Sequence, residues 1–247
     1  MDDGSDRRGD PQEVPCAIPP RPRGAPDAPA RLEPPEAAEA RLGTQGGRDP
    51  SLRARGLAAG KKNAARLGAH LVFVDESGFL LTPTVARSWA PVGKTPVLRH
   101  LDRRDRISVI SGITVSPKRQ RLNLYFQLHL KNIQQQEARG FLRHLLRHLR
   151  GHVFLLWDGG RPHAGRLVTE LVRRVPRLHL LRFPGYAPEL NPDEGVWKLA
   201  KGMLANGCPK DRSELSASLT KALHSIRKNR MNLRGCIDHS GLPYFLP

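Results

Sequence analysis

Apolar and polar side chains alternate strictly over residues 122–130, which is the clearest pattern in the chain. The apolar positions are Leu122, Leu124, Phe126, Leu128 and Leu130. A repeat of two residues is typical of a β-strand with one buried face, so a strand is predicted here. Two shorter runs, Leu71–Val74 and Val153–Trp157, are continuously apolar and predict buried strands. Each is followed at once by an aspartate, Asp75 or Asp158, which we expect to close the strand.

Helical periodicity follows the first strands. Residues 134–150 carry an apolar stripe made of Phe141, Leu142, Leu145, Leu146 and Leu149. The other predicted elements are strands at 107–115 and 178–183, a turn at 116–120, and helices at 163–174, 192–206 and 212–229. Three strands therefore precede an alternation of helices and strands. This order predicts an α/β fold with a mixed sheet, in which three antiparallel strands come first and helices pack on the faces.

The first 60 residues differ in composition from the rest. They contain ten Pro, eight Gly and ten Ala, and no Phe, Trp or Tyr. Such a segment buries too little apolar surface to offset the entropy lost on ordering it. We therefore expect residues 1–60 to be a disordered leader and residues 61–247 to form one folded domain.

Charge is concentrated in that domain. Residues 61–247 hold 32 Lys and Arg against 13 Asp and Glu, whereas residues 1–60 hold nine Arg against ten acids. A body this basic favours a polyanionic partner, because each neutralised phosphate releases counterions. A basic but inert surface is the alternative.

Three cysteines, Cys16, Cys208 and Cys236, are widely separated and form no C-x-x-C pair. They indicate neither a disulfide framework nor a zinc site. No apolar run approaches the ~20 residues of a membrane span, and the charged N-terminus lacks the apolar core of a secretion signal. We expect a cytoplasmic protein without a membrane partner.

Carboxylates at strand ends are the candidate chemistry. Reactive groups in α/β sheets collect at the carboxyl ends of strands, where Asp75 and Asp158 are predicted. With Glu194 at a helix start they form a plausible cage for divalent metal ions, which suits phosphodiester chemistry. Each aspartate is also a common turn residue. Glu194 has its own alternative, because Asn191-Pro192-Asp193-Glu194 matches a helix start with a reciprocal capping box.

Four blocks of sequence resemble the DDE transposases, specifically the bacterial insertion-sequence branch related to mariner elements. The blocks are Phe73–Phe79, Trp89 with Gly93, Trp157–His163 and Tyr186–Trp197. The resemblance runs from about Lys61 to the C-terminus. It implies a catalytic core with the RNase H-like (ribonuclease H-like) fold.

The resemblance also implies the chemistry. Asp75, Asp158 and Glu194 match the three catalytic, metal-binding acids, and Asp193 falls on the variable position of the last motif. Two Mg²⁺ or Mn²⁺ ions would serve DNA strand cleavage at the ends of a mobile element and strand transfer into target DNA. The partners implied are element ends, target DNA and a second copy in an active homodimer. The location implied is the bacterial cytoplasm, in association with the nucleoid.

Further basic residues are candidates for contacts with nucleic acid. They are His163, Lys198, Lys201, Arg139, Arg143 and Arg147. His163 can instead make a local hydrogen bond at a helix start, and the arginine stripe can be an ordinary solvated helix face. We expect Trp157 and Trp197 to fill the core.

One departure from the family affects the predicted function. Full-length members carry helix-turn-helix modules before the core, and residues 1–60 show no such periodicity. We expect a truncated copy that keeps the catalytic domain without specific recognition of the element's ends. The alternative is a catalytically inactive, basic DNA-binding remnant of a transposase.

Overall fold

The computed structural model describes residues 13–15, 60, 62–82, 84–89, 97–99, 105–158, 165–183 and 187–242. The strands are β1 (Glu13–Pro15), β2 (His70–Leu80), β3 (Val97–Arg99), β4 (Arg106–Val115), β5 (Leu122–His129), β6 (Val153–Trp157) and β7 (Leu178–Arg182). The helices are α1 (Gln135–His148), α2 (Arg166–Arg174), α3 (Asp193–Leu204), α4 (Arg212–Lys228) and α5 (Arg230–Asp238). A short 3-10 turn, Pro188–Leu190, precedes α3.

Five strands form one mixed sheet in the order β5-β4-β2-β6-β7. Strand β4 runs antiparallel to both β2 and β5, whereas β6 and β7 run parallel to β2. A mixed sheet with three antiparallel strands, followed by alternating helices and strands, was predicted from the sequence. The strand order and directions are those of an RNase H-like sheet, so the predicted fold class is confirmed.

Helices cover both faces of the sheet. On one face, α3, α4 and α5 pack over alternate residues of the strands, including Leu71, Phe73 and Leu156. On the other face, α1 and α2 pack over the intervening residues, including Val72, Val74 and Leu155. Because successive side chains of a strand point to opposite faces, odd-numbered residues of β2 face α3–α5 and even-numbered residues face α1 and α2. We call these the α3 face and the α1 face.

Strand β2 is longer than predicted. Asp75 was predicted to close the strand, and that prediction was wrong. Strand β4 runs beside the whole of β2, and Asp75 through Gly78 pair with Ser111 through Ser108. The antiparallel hydrogen bonds therefore continue past the point at which the apolar run ends.

Three elements, β1, β3 and α5, lay outside the sequence predictions. Helix α5 is capped by Asn229, whose side chain accepts hydrogen bonds from the Met231 and Asn232 backbone N–H groups. Strand β1 lies within residues 1–60 and pairs antiparallel with β3. Nearly all of the predicted disordered leader is outside the described residues, so that disorder stays a prediction. In the described part of the chain, none of the helices combines the length and apolar character that a membrane crossing requires.

Helices α3 and α5 pack closely because α3 has a glycine at the contact. A Cβ added at Gly195 would lie 2.8 Å from the Cys236 sulfur and 3.2 Å from the Cys236 Cα. The second distance involves backbone, which cannot rotate away.

Substituting Gly195 by alanine should therefore destabilise the fold. We expect the free energy of unfolding to fall by about 1–3 kcal/mol, the usual cost of overpacking. Gly202→Ala is the matched control, because it lies in the same helix with nothing within 4 Å of the added Cβ. The control should be neutral or stabilising by up to about 1 kcal/mol. Denaturant unfolding of both variants checks this, and equal effects would contradict the close contact.

Candidate active site

Asp75 lies in the middle of β2, where the neighbouring strand β6 ends. The parallel pairing of β2 with β6 stops at Phe73 opposite Leu156. Asp75 follows two residues later, on the α3 face, and pairs across β4 with Ser111. The first acid is therefore at the carboxyl end of β6 although it is not at the end of its own strand.

Asp158 directly follows β6, as predicted. Continuing the register beyond Phe73 and Leu156 by two residues places Asp158 level with Asp75. Neighbouring strands lie about 4.8 Å apart, and residues in register share a face. The fold thus brings the two aspartates to adjacent positions on the α3 face. The Asp158 side chain is exposed.

Trp197 joins α3 to the first acid. Its indole Nε1–H donates a hydrogen bond to Asp75 Oδ2 at 3.0 Å. The indole is buried, as the sequence analysis expected, and meets the Phe79 ring edge-on at a centroid distance of 6.1 Å. The sequence analysis gave Trp197 a packing role only. In the structure it also orients a carboxylate.

The local environment raises the pKa of Asp75 to about 7. Burial is the main cause, because removal from water disfavours the charged form. Repulsion from Glu76 and Glu194 also raises the pKa, whereas the Trp197 hydrogen bond lowers it. Glu194 is therefore close enough to raise the pKa of Asp75.

Asn191 fixes the chain just before α3. Its side-chain Nδ2 donates to the Val74 carbonyl at 3.3 Å, and its Oδ1 accepts from the Asp193 backbone N–H at 3.2 Å. The predicted capping box is wrong, because the Asn191 N–H donates to Pro188 O within the 3-10 turn rather than to Glu194. The helix begins at Asp193, with Pro192 as its N-cap. Glu194 is exposed.

Asp193 is a fourth acid at the site, to which the sequence analysis gave no role. Its side chain is fully buried and accepts a hydrogen bond from Ser111 Oγ at 3.1 Å. Ser111 is the residue opposite Asp75 in the β2–β4 pairing. Burial, and then repulsion from Asp75, raise the pKa of Asp193 well above its usual value. Periodicity contained the signal, since Asp193, Val196, Trp197 and Ala200 follow the i, i+3, i+4, i+7 pattern of a buried face.

The predicted basic residues separate into different places. Lys198 and Glu194 line one cavity of about 480 Å³ between α3 and α5, whereas Lys201 lines another of about 730 Å³ beside the end of β2. Arg139, Arg143 and Arg147 lie on α1, across the sheet from Asp75. His163 is outside the described residues.

The donor atoms suit Mg²⁺ or Mn²⁺, which prefer carboxylate oxygens. Within the described ranges, no three His, Cys, Asp or Glu side chains converge closely enough to hold an ion. Strands β2 and β6 and helix α3 thus bring carboxylates to one corner of the sheet. In the described residues these side chains do not converge on a single point.

Comparison with known proteins identifies one family. A family model described as DDE superfamily endonuclease matches residues 70–216. The match includes β2 through the first turns of α4 and thus Asp75, Asp158 and Glu194. No curated protein matches the chain.

Solved structures of the Mos1 mariner transposase are similar in shape. The paired-end complex with Mg has a TM-score of 0.48 at 15% identity, with 83% of this chain and 69% of that chain covered. The strand transfer complex has a TM-score of 0.47 at 15% identity, with 83% and 67% covered. The isolated catalytic domain has a TM-score of 0.44 at 12% identity, with 81% and 99% covered.

Replacing Asp75 by asparagine should stabilise the protein at neutral and alkaline pH. An unfolded aspartate loses its proton near about 3.9, whereas folded Asp75 holds it to about 7. The folded state binds more protons in this window, so its free energy of unfolding falls as the pH rises through it. Asparagine removes that penalty and still accepts the Trp197 hydrogen bond.

We expect the variant to exceed the parent by at most about 4 kcal/mol above pH 7, with the advantage vanishing near about pH 4. Urea unfolding across this range, without divalent metal, measures the difference. Glu189→Gln is the control, since its side chain is exposed. A difference between Asp75→Asn and parent that does not change with pH would refute the assignment.

Proposed function

Because the chain belongs to the DDE superfamily endonucleases, we propose that it is the catalytic domain of a transposase. The reaction is metal-dependent cleavage of DNA strands and their transfer to a target, on behalf of an insertion sequence of the bacterial branch related to mariner elements. One observation carries the proposal. The β2–β6 register, continued by two residues, puts Asp75 and Asp158 at adjacent positions, and Glu194 lies on the helix whose Trp197 donates a hydrogen bond to Asp75.

Asp75, Asp158 and Glu194 are the residues that would hold two Mg²⁺ or Mn²⁺ ions. When bound, such ions lower the pKa of an attacking water and stabilise charge on the leaving oxygen. The protein's own part is to present the acids in ionised form. Burial favours protonated Asp75, and the Trp197 N–H opposes this by favouring the carboxylate.

Lys198 is the basic residue best placed to contact the DNA backbone at the acids. It lies one helical turn after Glu194 and lines the same cavity. A lysine there offers a point charge to a phosphate near the third acid. Lys201 lies three residues after Lys198 on α3 and lines the other cavity, beside the end of β2. We include a homodimer in the proposal, because two element ends require two sites.

Loss of a carboxylate should abolish cleavage. Nicking of supercoiled plasmid in Mg²⁺ or Mn²⁺ should fall at least about 100-fold in Asp75→Asn, Asp158→Asn and Glu194→Gln, a barrier increase of roughly 2.7 kcal/mol. Asp238→Asn is the control, because Asp238 is an exposed acid on α5 outside the cavity that Glu194 and Lys198 line, and it should retain activity. Chelation of the metal should stop the parent and the control alike.

Two results would refute this. Equal nicking by the parent and all three variants would show that the acids are not used. No nicking by the folded parent in either metal would leave a DNA-binding protein without catalysis.

The Trp197 hydrogen bond should be visible in the pH dependence of nicking. Trp197→Phe removes the donor that stabilises ionised Asp75, so the acid limb of the pH–rate profile should move to higher pH by up to about one unit. Trp157→Phe is the control, because it makes the same substitution at a buried tryptophan on the α1 face of the sheet. The profiles should be recorded at one metal concentration. A shift of the same size in both variants would mean that altered packing, and not the hydrogen bond, is responsible.

A further inference from the structure

A row of arginines lies on the α1 face, away from the acids. Arg139, Arg143 and Arg147 recur every four residues along α1. At 1.5 Å per residue the row is about 12 Å long, a length over which one DNA strand presents about three phosphates. The buried side of α1 packs on Val72 and Val74, on the α1 face, whereas Asp75 points to the α3 face.

A groove between α1 and α2 carries part of this row. It encloses about 590 Å³ and has three guanidinium groups in its lining, those of Arg143, Arg147 and Arg177. Gly140 also borders the groove, and a Cβ at this position would meet nothing within 4 Å. The groove is therefore both open and cationic.

Arg177 forms a fixed part of the wall. Its guanidinium donates to the carbonyl oxygens of Leu149 at 2.7 Å and Gly151 at 2.9 Å, and also to that of Leu146. These bonds satisfy the carbonyl end of α1. They also hold the Arg177 guanidinium in the lining of the groove beside Arg143 and Arg147, whose side chains are both exposed.

Nearby acids do not neutralise the groove. Glu137 accepts a hydrogen bond from the Gln134 backbone N–H at the start of α1. Glu170 pairs with Arg174 at 2.6 Å. Within the described part of the chain, no acidic side chain forms an ion pair with Arg143 or Arg147.

The sheet separates this groove from the acids. A sheet packs against the layers on either side at about 10 Å, so helices on its two faces lie roughly 20 Å apart. Short DNA is stiff, with a persistence length of about 150 bp. A duplex that delivers a strand to Asp75 would have to bend around the sheet to reach Arg143 as well.

We propose that the α1–α2 groove binds a second segment of double-stranded DNA, separate from the strand at the acids. This inference rests on the proposed function, because a strand-transfer enzyme handles two DNA segments. The contacts are to phosphate and are independent of base sequence. A single protomer thereby holds DNA on both faces of its sheet.

The test counts duplexes per protomer. The full chain is titrated with a short mixed-sequence duplex in EDTA, and complexes are weighed by native mass spectrometry with parallel affinity measurements over a salt series. We expect two duplexes per protomer for the parent and one for Arg143→Glu/Arg147→Glu. In the milder Arg143→Gln/Arg147→Gln variant, which should weaken the second duplex without abolishing it, the slope of log affinity against log salt for that duplex should fall by about two.

Matched variants separate this proposal from general charge and from catalysis. Lys118→Glu/Arg121→Glu makes the same change of charge at exposed positions between β4 and β5, at the opposite end of the sheet from the acids, and should keep two duplexes. Arg143→Gln/Arg147→Gln is a milder pair, also used if charge reversal lowers the melting temperature. Asp75→Asn should lose plasmid nicking and keep two duplexes, whereas the groove variant should keep nicking.

Several outcomes would overturn the groove assignment. They are one duplex per parent protomer, two duplexes on the groove variant, and loss of nicking in the groove variant, which would place the groove on the substrate path. Binding of a polyglutamate peptide as tightly as the duplex would indicate an acidic protein partner instead. Two duplexes on a folded parent that does not nick would leave the groove standing and refute the proposed function.

Discussion

The hydrogen bond from Trp197 to Asp75 is the contact on which the candidate site depends. It joins a helix on one face of the sheet to the central strand, and two further bonds support it at the start of that helix. Asn191 donates to Val74 O, and Ser111 donates to Asp193. Together they hold the first turn of α3 against β2 and β4. Glu194 lies on that turn, so these hydrogen bonds fix its backbone relative to Asp75. None of them involves the Glu194 carboxylate.

The same packing stores electrostatic strain. Asp75 and Asp193 share a poorly hydrated corner, and burial and mutual repulsion raise the pKa of both carboxyls. Fold stability alone does not account for two acids in such a place, since apolar residues of similar size avoid the desolvation cost. The divalent ions of the proposed function would relieve this repulsion, and binding them would stabilise the fold. Such a conflict between function and stability is common at active sites.

Much of this fold could be predicted from the pattern of apolar residues. They alternate with polar residues in β5, form one stripe along α1, and are continuous in β6. The full length of β2 could not, since Glu76, Ser77 and Gly78 look like a turn unless the partner strand β4 is known. Asp158 was predicted correctly as the residue after β6. The prediction of a capping box at Glu194 was wrong because the Asn191 N–H donates to the Pro188 carbonyl in the 3-10 turn. The role of Asp193 was missed because a buried acid contradicts the rule that charges stay in water.

Strands β2 and β6 end at different heights, and this gives the sheet an uneven outline. Among the described residues, five strands lie side by side up to Phe73 and Leu156, but β2, β4 and β5 alone continue beyond Trp157 and Arg182. The step lies between β2, which continues, and β6, which ends at Trp157. Asp75 and Asp158 sit at its corner. Asp75 is therefore fixed by strand pairing both before and after it, whereas Asp158 directly follows the last residue of its strand.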